Sequence, residues 1–254
     1  MHTILPPYAE LHCISNFTFL RGASHPEELV MRAASLGYTS LAITDEASLA
    51  GVVRAHVEAK RHSLHLIIGS EIRLQCGLKM VVLAMDRDGY GNLSEWITLG
   101  RCRAPKGQYD LRREDIDEPG HLQNLPGCIA LFLPERGTEP DKLKEQGLWI
   151  AGHFPQRAWI TLELLLRLDD DVWREQLQAL SQETGLPPTA ADDVLMHVRS
   201  RKPLQDTLSA IRLGKAIAEC GLALQPNAAS PCSRTPNSTC ASACDLRKSI
   251  GQSF

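Results

Sequence analysis

The sequence lacks the features that would assign it to a membrane, secreted or nucleotide-binding class. No apolar run approaches the ~18 residues that span a bilayer, and the N-terminus lacks the charged start and long apolar core of a signal peptide. Glycine-rich phosphate loops of the forms Gly-x-Gly-x-x-Gly and Gly-Lys-Ser/Thr are absent. With a net charge of -3, no overall basicity indicates a nucleic-acid or membrane surface. We therefore expect a cytoplasmic protein with no membrane partner.

The eight cysteines do not form a metal-binding pattern. Five are scattered singly among apolar neighbours, as buried free thiols usually are. The other three, Cys232, Cys240 and Cys244, cluster near the C-terminus without CxxC spacing and without a nearby histidine. We expect no zinc site there.

The apolar pattern predicts strands and helices in alternation. Residues 10–15 predict a first strand, with His12 and Ile14 on one face and Leu11 and Cys13 on the other. A helix with Ser24 as N-cap follows, and further strands and helices alternate up to a last helix over residues 204–220. This order predicts an α/β protein with parallel strands, either a barrel or an open doubly wound sheet. Functional sites gather at the carboxyl ends of the strands in both folds.

Composition divides the chain into three parts. Residues 1–7 are an N-terminal extension, residues 8–225 carry the apolar pattern of the folded domain, and residues 226–254 are rich in Ser, Thr, Pro and Ala. Such a tail buries too little apolar surface to fold, so we expect disorder. The change after the last helix is abrupt, and we hypothesise that the tail is translated out of frame. The hypothesis fails if no other frame of the coding DNA continues a patterned sequence.

Polar side chains at predicted strand ends are the candidate site. His12 lies on the first strand, Asp45 and Glu46 follow the second, Glu71 follows the third, and Asp193 lies at the last. One histidine with several carboxylates could bind Mg²⁺, Mn²⁺ or Zn²⁺. The alternative is a buried histidine beside ordinary loop acids.

Four other groups are weaker candidates. Ser15 and His12 are expected to point to opposite faces of a strand, so they should not form a catalytic pair, and His121 and His153 are expected to be exposed in loops. The basic run of residues 199–202 is more typical of a solvated loop than of a phosphate contact. The acidic residues 169–171 predict a helix N-terminus rather than a metal site.

Several motifs resemble a known family. Residues 11–29 (LHCISNFTFLRGASHPEEL), 41–46 (LAITDE) and 68–71 (IGSE) are similar to the polymerase and histidinol phosphatase (PHP) domain of bacterial C-family DNA polymerase α subunits. Residues 16–26 (NFTFLRGASHP), 196–201 (MHVRSR) and 204–214 (LQDTLSAIRLG) resemble the error-prone branch of that family. The resemblance runs from about residue 8 to residue 227 and implies a distorted (β/α)7 barrel.

The resemblance also implies a metal cluster held by histidines and acids, which this sequence has largely lost. Matched to the family's motifs, His12, Glu71 and Asp193 keep ligand positions. The other ligand positions are changed, and they fall on Ile14, Arg21, Glu46, Lys79, a residue near Pro134, and Leu195. Arg21 and Lys79 bring positive charge, and Ile14 and Leu195 are hydrocarbon without a lone pair. Since each ion needs deprotonated donors, we expect weak or absent metal binding and no catalytic residues.

The resemblance therefore implies a truncated PHP domain of an error-prone, translesion DNA polymerase, acting as a scaffold without chemistry of its own. Its partners would be the polymerase domains of a full-length chain, and DNA and the sliding clamp only through that enzyme. Mg²⁺ would serve the polymerase, and any Mn²⁺, Zn²⁺ or Mg²⁺ here would be residual. The alternatives are a free-standing PHP-type metal-dependent phosphoesterase, a pseudoenzyme that serves as a binding module, and a non-functional gene fragment.

Overall fold

The fold is a distorted (β/α)7 barrel, described by a computed structural model for residues 8–165 and 167–224. The seven strands are β1 Ala9–Glu10, β2 Ser40–Ile43, β3 His65–Arg73, β4 Lys79–Ala84, β5 Cys128–Phe132, β6 Ala158–Leu162 and β7 Pro188–Ala190. The seven helices are α1 Pro26–Ser35, α2 Val52–His62, α3 Arg87–Arg103, α4 Glu114–Asp117, α5 Pro140–His153, α6 Asp170–Thr184 and α7 Lys202–Leu213. Among these described residues, no helix is long and apolar enough to cross a membrane.

The strands form one curved sheet in the order β1 to β7, and the expectation of an all-parallel sheet was wrong. β1, β2 and β3 are parallel, as are β5, β6 and β7, but β4 is antiparallel to both of its neighbours. The reversal arises because only a short turn separates β3 from β4, too short for the crossover that a parallel pair needs. An isolated parallel bridge between Cys13 and Val194 brings the two ends of the sheet together.

Alternation along the strands separates the inside of the barrel from the layer beneath the helices. In β4, Val81 and Leu83 lie in an inner cluster to which β1 to β6 all contribute. Met80 and Val82 lie in the large outer cluster beneath α3, α5 and α6. Successive side chains of a strand point to opposite faces, so the unbroken apolar run of β4 is a strand buried on both sides.

The first strand is shorter than predicted, and its alternation fails after Leu11. Leu11 packs inside the barrel, but Cys13 packs in the outer cluster beneath α1 and α2. The buried carboxylate of Glu10 accepts hydrogen bonds from the backbone N–H groups of Leu11 and His12, at 3.0 and 2.9 Å. Because the side chain satisfies these donors in place of a neighbouring strand, the chain leaves β1 directly after Glu10.

Two predicted helix boundaries also move. The N-cap of α1 is His25 rather than Ser24, since Glu28 at the third helical position accepts from the His25 N–H at 2.9 Å. The predicted helix over residues 204–220 ends at Leu213, because Gly214 adopts a left-handed C-cap with φ of 64°. Two short 3₁₀ turns, Ile217–Glu219 and Gly221–Ala223, follow it. The predicted tail of residues 226–254 lies outside the described residues.

Candidate functional site

One edge of the sheet gathers the charged side chains of the candidate site. His12 follows β1, Glu46 follows β2, and Asp193 follows β7. Glu71 lies within β3 rather than after it, because antiparallel pairing with β4 extends the strand to Arg73. The same pairing sets Lys79, the first residue of β4, opposite Arg73. The reversed β4 therefore brings a lysine to the edge where the parallel strands end.

His12 is fully buried between two carboxylates. Its Nε2 lies 2.9 Å from Glu71 Oε2, and its Nδ1 lies 2.7 Å from Glu163 Oε1. Burial alone would lower the pKa of His12, but the charge of Glu163 and the hydrogen bonds to Glu163 and Glu71 raise it to about 10. His12 is therefore an imidazolium at neutral pH that donates from both ring nitrogens.

Glu71 is the anion at the centre of the cluster. Besides His12, it accepts from Arg21 Nη1 at 2.6 Å and from Arg21 Nη2 at 3.1 Å, and Lys79 Nζ lies 3.2 Å from it. Burial raises the pKa of Glu71, but the charges of Lys79 and Arg21 reverse this and hold the pKa well below its usual range. The same pairing raises the pKa of Lys79, although burial opposes it.

Glu46 holds the outer end of the cluster. Arg21 Nη1 donates to Glu46 Oε2 at 2.6 Å, and the hydroxyl of Tyr109 donates to Glu46 Oε1 at 2.9 Å. Burial and the neighbouring Glu46 charge raise the pKa of the Tyr109 phenol, so it stays a neutral donor. Arg21 thus links two carboxylates that would otherwise repel each other.

The residues that keep the family's ligand positions do come together. One ligand atom from each of His12, Glu71 and Asp193 lies within 4.8 Å of the others, and Asp193 Oδ1 is a buried acceptor without a hydrogen bond. However, Glu71 already receives three cationic side chains, and a protonated His12 offers no lone pair to an ion. A multinuclear centre needs several deprotonated donors around each ion, and this donor set does not fit one.

Two small cavities open on this edge of the sheet. Each encloses about 240 Å³, and Lys79 and Asp193 line both. Leu195, at a position where the family would have a histidine, lines the first cavity with hydrocarbon. Ile14, at another such position, is fully buried. Neither side chain can donate a lone pair.

Asp45 and Ser15 form a separate, structural group. Asp45 accepts from the backbone N–H and hydroxyl of Ser15, at 2.8 and 2.7 Å, and from the Thr18 hydroxyl at 2.9 Å. Ser15 therefore pairs with Asp45 and not with His12, although strand alternation is not the reason because β1 ends at Glu10. Asp45, the other acid after β2, therefore holds the Ser15 turn, and it is not in the group formed by His12, Glu71 and Asp193.

The weaker candidates have local roles. His121 is exposed beside Glu95, as predicted, but His153 is half-buried, stacked on Trp149 and paired with Asp117. In the basic run, Arg201 pairs with Glu28 and Lys202 with Asp206. The predicted helix start at residues 169–171 is confirmed, since α6 begins there with Asp169 as its N-cap. The three clustered C-terminal cysteines, Cys232, Cys240 and Cys244, lie outside the described residues.

Sequence reasoning missed Glu163 as a partner of His12. It directly follows β6, and an acid at the carboxyl end of a strand is the same signal that singled out Glu46. Its position next to the apolar run of β6 makes it look like part of the strand in the sequence. Tyr109 had no such signal, since it lies in a loop far along the chain from Glu46.

Comparison with protein families gives one match. The model of the PHP domain matches residues 10–170. The chain is also 54% identical over 237 residues to an error-prone DNA polymerase of Bordetella parapertussis, and 57% identical over 220 residues to one of Methylococcus capsulatus. These alignments cover 90% and 87% of this chain but 22% and 20% of the two relatives. The chain thus spans about a fifth of the length of the curated relatives that it matches.

Solved structures with the same fold are much less similar in sequence. An amidohydrolase from Chromobacterium violaceum superposes with a TM-score of 0.56 at 16% identity, over 74% of this chain and 87% of that protein. A candidate metal-dependent phosphoesterase from Bifidobacterium adolescentis superposes with a TM-score of 0.50 at 14% identity, over 74% and 87% of the two chains. At this level of identity the likeness establishes the fold alone.

Proposed function

Because this chain belongs to the PHP domain family, we propose that it is the PHP domain of an error-prone DNA polymerase and acts there as a scaffold. The identity of 54–57% to polymerases of that name supports this. DNA-templated synthesis past lesions, with its Mg²⁺, its DNA and its sliding clamp, then belongs to the larger part of such an enzyme that this chain does not match. The chain is a cytoplasmic, catalytically silent domain whose partner is the polymerase portion.

The pairing of Glu71 with Arg21 and Lys79 supports catalytic silence most directly. The two fixed cations lie 2.6 to 3.2 Å from a buried carboxylate, at the distance where a bound cation would compete with them. Together with the imidazolium of His12 they offset most of the charge of Glu46, Glu71, Glu163 and Asp193. These ion pairs connect the residues at the ends of β1, β3, β4, β6 and β7 along one edge of the sheet, as a shared metal ion would.

The test measures metal content and hydrolysis together. The purified 254-residue chain, dialysed against Mn²⁺, Zn²⁺ or Mg²⁺, is expected to retain far less than one ion per chain and to leave p-nitrophenyl phosphate intact. Added Mn²⁺ should not raise the melting temperature, since an ion that binds only the folded state would do so. Asp193→Asn removes a candidate ligand, and Asp169→Asn is the matched control outside the site. Stoichiometric metal with hydrolysis that is lost only in Asp193→Asn would contradict the proposal.

The second candidate function is a free-standing, metal-dependent phosphoesterase. The convergence of His12, Glu71 and Asp193 within 4.8 Å favours it. It requires that an ion displace Lys79 or Arg21 from Glu71 and that His12 lose its proton. We rank it second because Glu163 stabilises the protonated form of His12. The same metal and hydrolysis measurements decide between the two functions.

A further inference from the structure

Helix α7 buries polar side chains and exposes apolar ones. Its buried residues are Gln205, Ser209 and Ala210, and Gln205 donates to the Ser209 hydroxyl at 3.0 Å. Gln205 and Ser209 line the first cavity of the candidate site. A helix on the surface of a globular domain normally does the reverse, because burying its apolar stripe is what attaches it.

The apolar residues of α7 form a stripe at helical spacing. Leu204, Leu208 and Ile211 lie at i, i+4 and i+7, which places them on one face. Leu204 is 40% exposed and Ile211 is 59% exposed, while Leu208 is half-buried. Ile217, in the 3₁₀ turn that follows the helix, is a further exposed apolar residue, 48% exposed. We call these four residues the α7 stripe.

Basic residues flank the α7 stripe along the chain. Arg199 precedes the helix and Arg212 and Lys215 lie at its C-terminal end, and none of the three makes an ion pair with a residue that the structure describes. Arg212 also lines the first cavity. Of two nearby acids, Asp206 is paired with Lys202, and Glu219 is exposed in the same 3₁₀ turn as Ile217. Basic residues therefore predominate, and a complementary surface is apolar at its centre and mainly acidic at its rim.

We propose that the α7 stripe is the docking surface for the polymerase portion of an error-prone DNA polymerase. This inference rests on the proposed function and adds the place of contact. The curated relatives are about five times as long as their match to this chain, so most of each relative remains to cover such a surface.

The tail of this chain is a poor alternative occupant. Residues 226–254 contain only Leu246, Ile250 and Phe254 as large apolar side chains. They include Asp245 as their single acid against three basic residues, so they do not complement a basic rim. A second copy of the chain would likewise place one basic rim against another.

The experiment compares one substitution in two settings. In the first, Ile211→Glu is introduced into the 254-residue chain. In the second, it is introduced into the full-length Bordetella parapertussis polymerase whose matched stretch has been replaced by the corresponding residues of this chain. Val53→Glu is the matched control, since Val53 is an exposed apolar residue on the helix α2. Melting temperature is measured for both proteins, and protease cleavage between the domains and primer extension are measured for the full-length one.

In the isolated chain both variants should melt like the parent, because both side chains are solvent-exposed. In the full-length protein Ile211→Glu should raise the rate of cleavage between the domains roughly tenfold or more, because a charge replaces a buried apolar contact. Val53→Glu should leave it unchanged. An unchanged cleavage rate for Ile211→Glu overturns the docking surface while leaving the proposed function intact.

Two other outcomes would also decide the matter. If the full-length protein carrying the unsubstituted stretch neither holds together nor extends primers, the proposed function fails and the docking surface fails with it. If the 254-residue chain is a dimer that Ile211→Glu converts to a monomer, the occupant is a second copy, and our assignment of the polymerase portion is overturned.

Discussion

Replacing Glu71 by Gln should destabilise the domain more than any other single change in the charged cluster. The substitution keeps the size of the side chain but removes its charge. Arg21 and Lys79, whose side chains are only 17% and 13% exposed, would then face an amide. An amide has one acceptor oxygen where the carboxylate has two, and its NH₂ group points donors at cations.

The expected cost follows from the burial of the group. Removing one partner of a buried ion pair costs about 3–5 kcal/mol. Arg21 keeps its bond to Glu46 and His12 keeps its bond to Glu163, so the lower end, about 3 kcal/mol, is appropriate. For a domain of this size that corresponds to a fall in melting temperature of about 6–12 °C.

Thermal and urea denaturation of the 254-residue chain, followed by circular dichroism, measures this cost. Glu95→Gln is the control, because Glu95 belongs to an exposed pair with His121 that should contribute about 1 kcal/mol or less. The double variant Lys79→Met/Glu71→Gln should be less destabilised than the sum of its single changes. If the free energy of unfolding of Glu71→Gln is within about 1 kcal/mol of that of the parent, the charged cluster does not stabilise this edge of the barrel.

Two further predictions concern the barrel away from the site. Gly89→Ala should lower the free energy of unfolding, measured by urea denaturation, by about 3 kcal/mol, because its Cβ would lie 1.9 Å from the Gly127 carbonyl oxygen. Gly91→Ala, in the same helix with nothing within 4 Å, should instead stabilise by about 0.5–1 kcal/mol, and equal effects would contradict this. Burial raises the pKa of the Cys128 thiol to about 12 and also shields it, so at pH 8 it should react with Ellman's reagent more than tenfold more slowly than the exposed Cys76. Serine at the other six cysteines leaves Cys76 and Cys128 as the thiols that the assay compares, and rates within about tenfold of each other would contradict the prediction.

Much of the fold was predictable from local patterns. The predicted N-cap Ser24 located the start of α1 to within one residue, and the predicted alternation of strands and helices is confirmed. The hydrophobic periodicity that marks these elements is local, since it depends on which side chains lie a few positions apart.

The candidate site was predictable only in part. The family motifs located His12, Glu71 and Asp193, and the structure brings those three together. They also placed Arg21 and Lys79 at former ligand positions, and both lie against Glu71. The second partner of His12 could not be predicted, because Glu163 is 151 positions away along the chain and lies in none of the family motifs.

The sequence by itself determined the identity of the side chains, the positions of most strands and helices, and the family to which the barrel belongs. Only the tertiary structure decided which charges meet. The reversal of β4 brings Lys79 to the edge where Glu71 lies, and closure between Cys13 and Val194 brings β1 beside the chain that follows β7. The physical reason is that helix and strand patterns depend on near neighbours along the chain. An ion pair depends on a distance of a few ångströms between residues that the folded chain brings together from far apart.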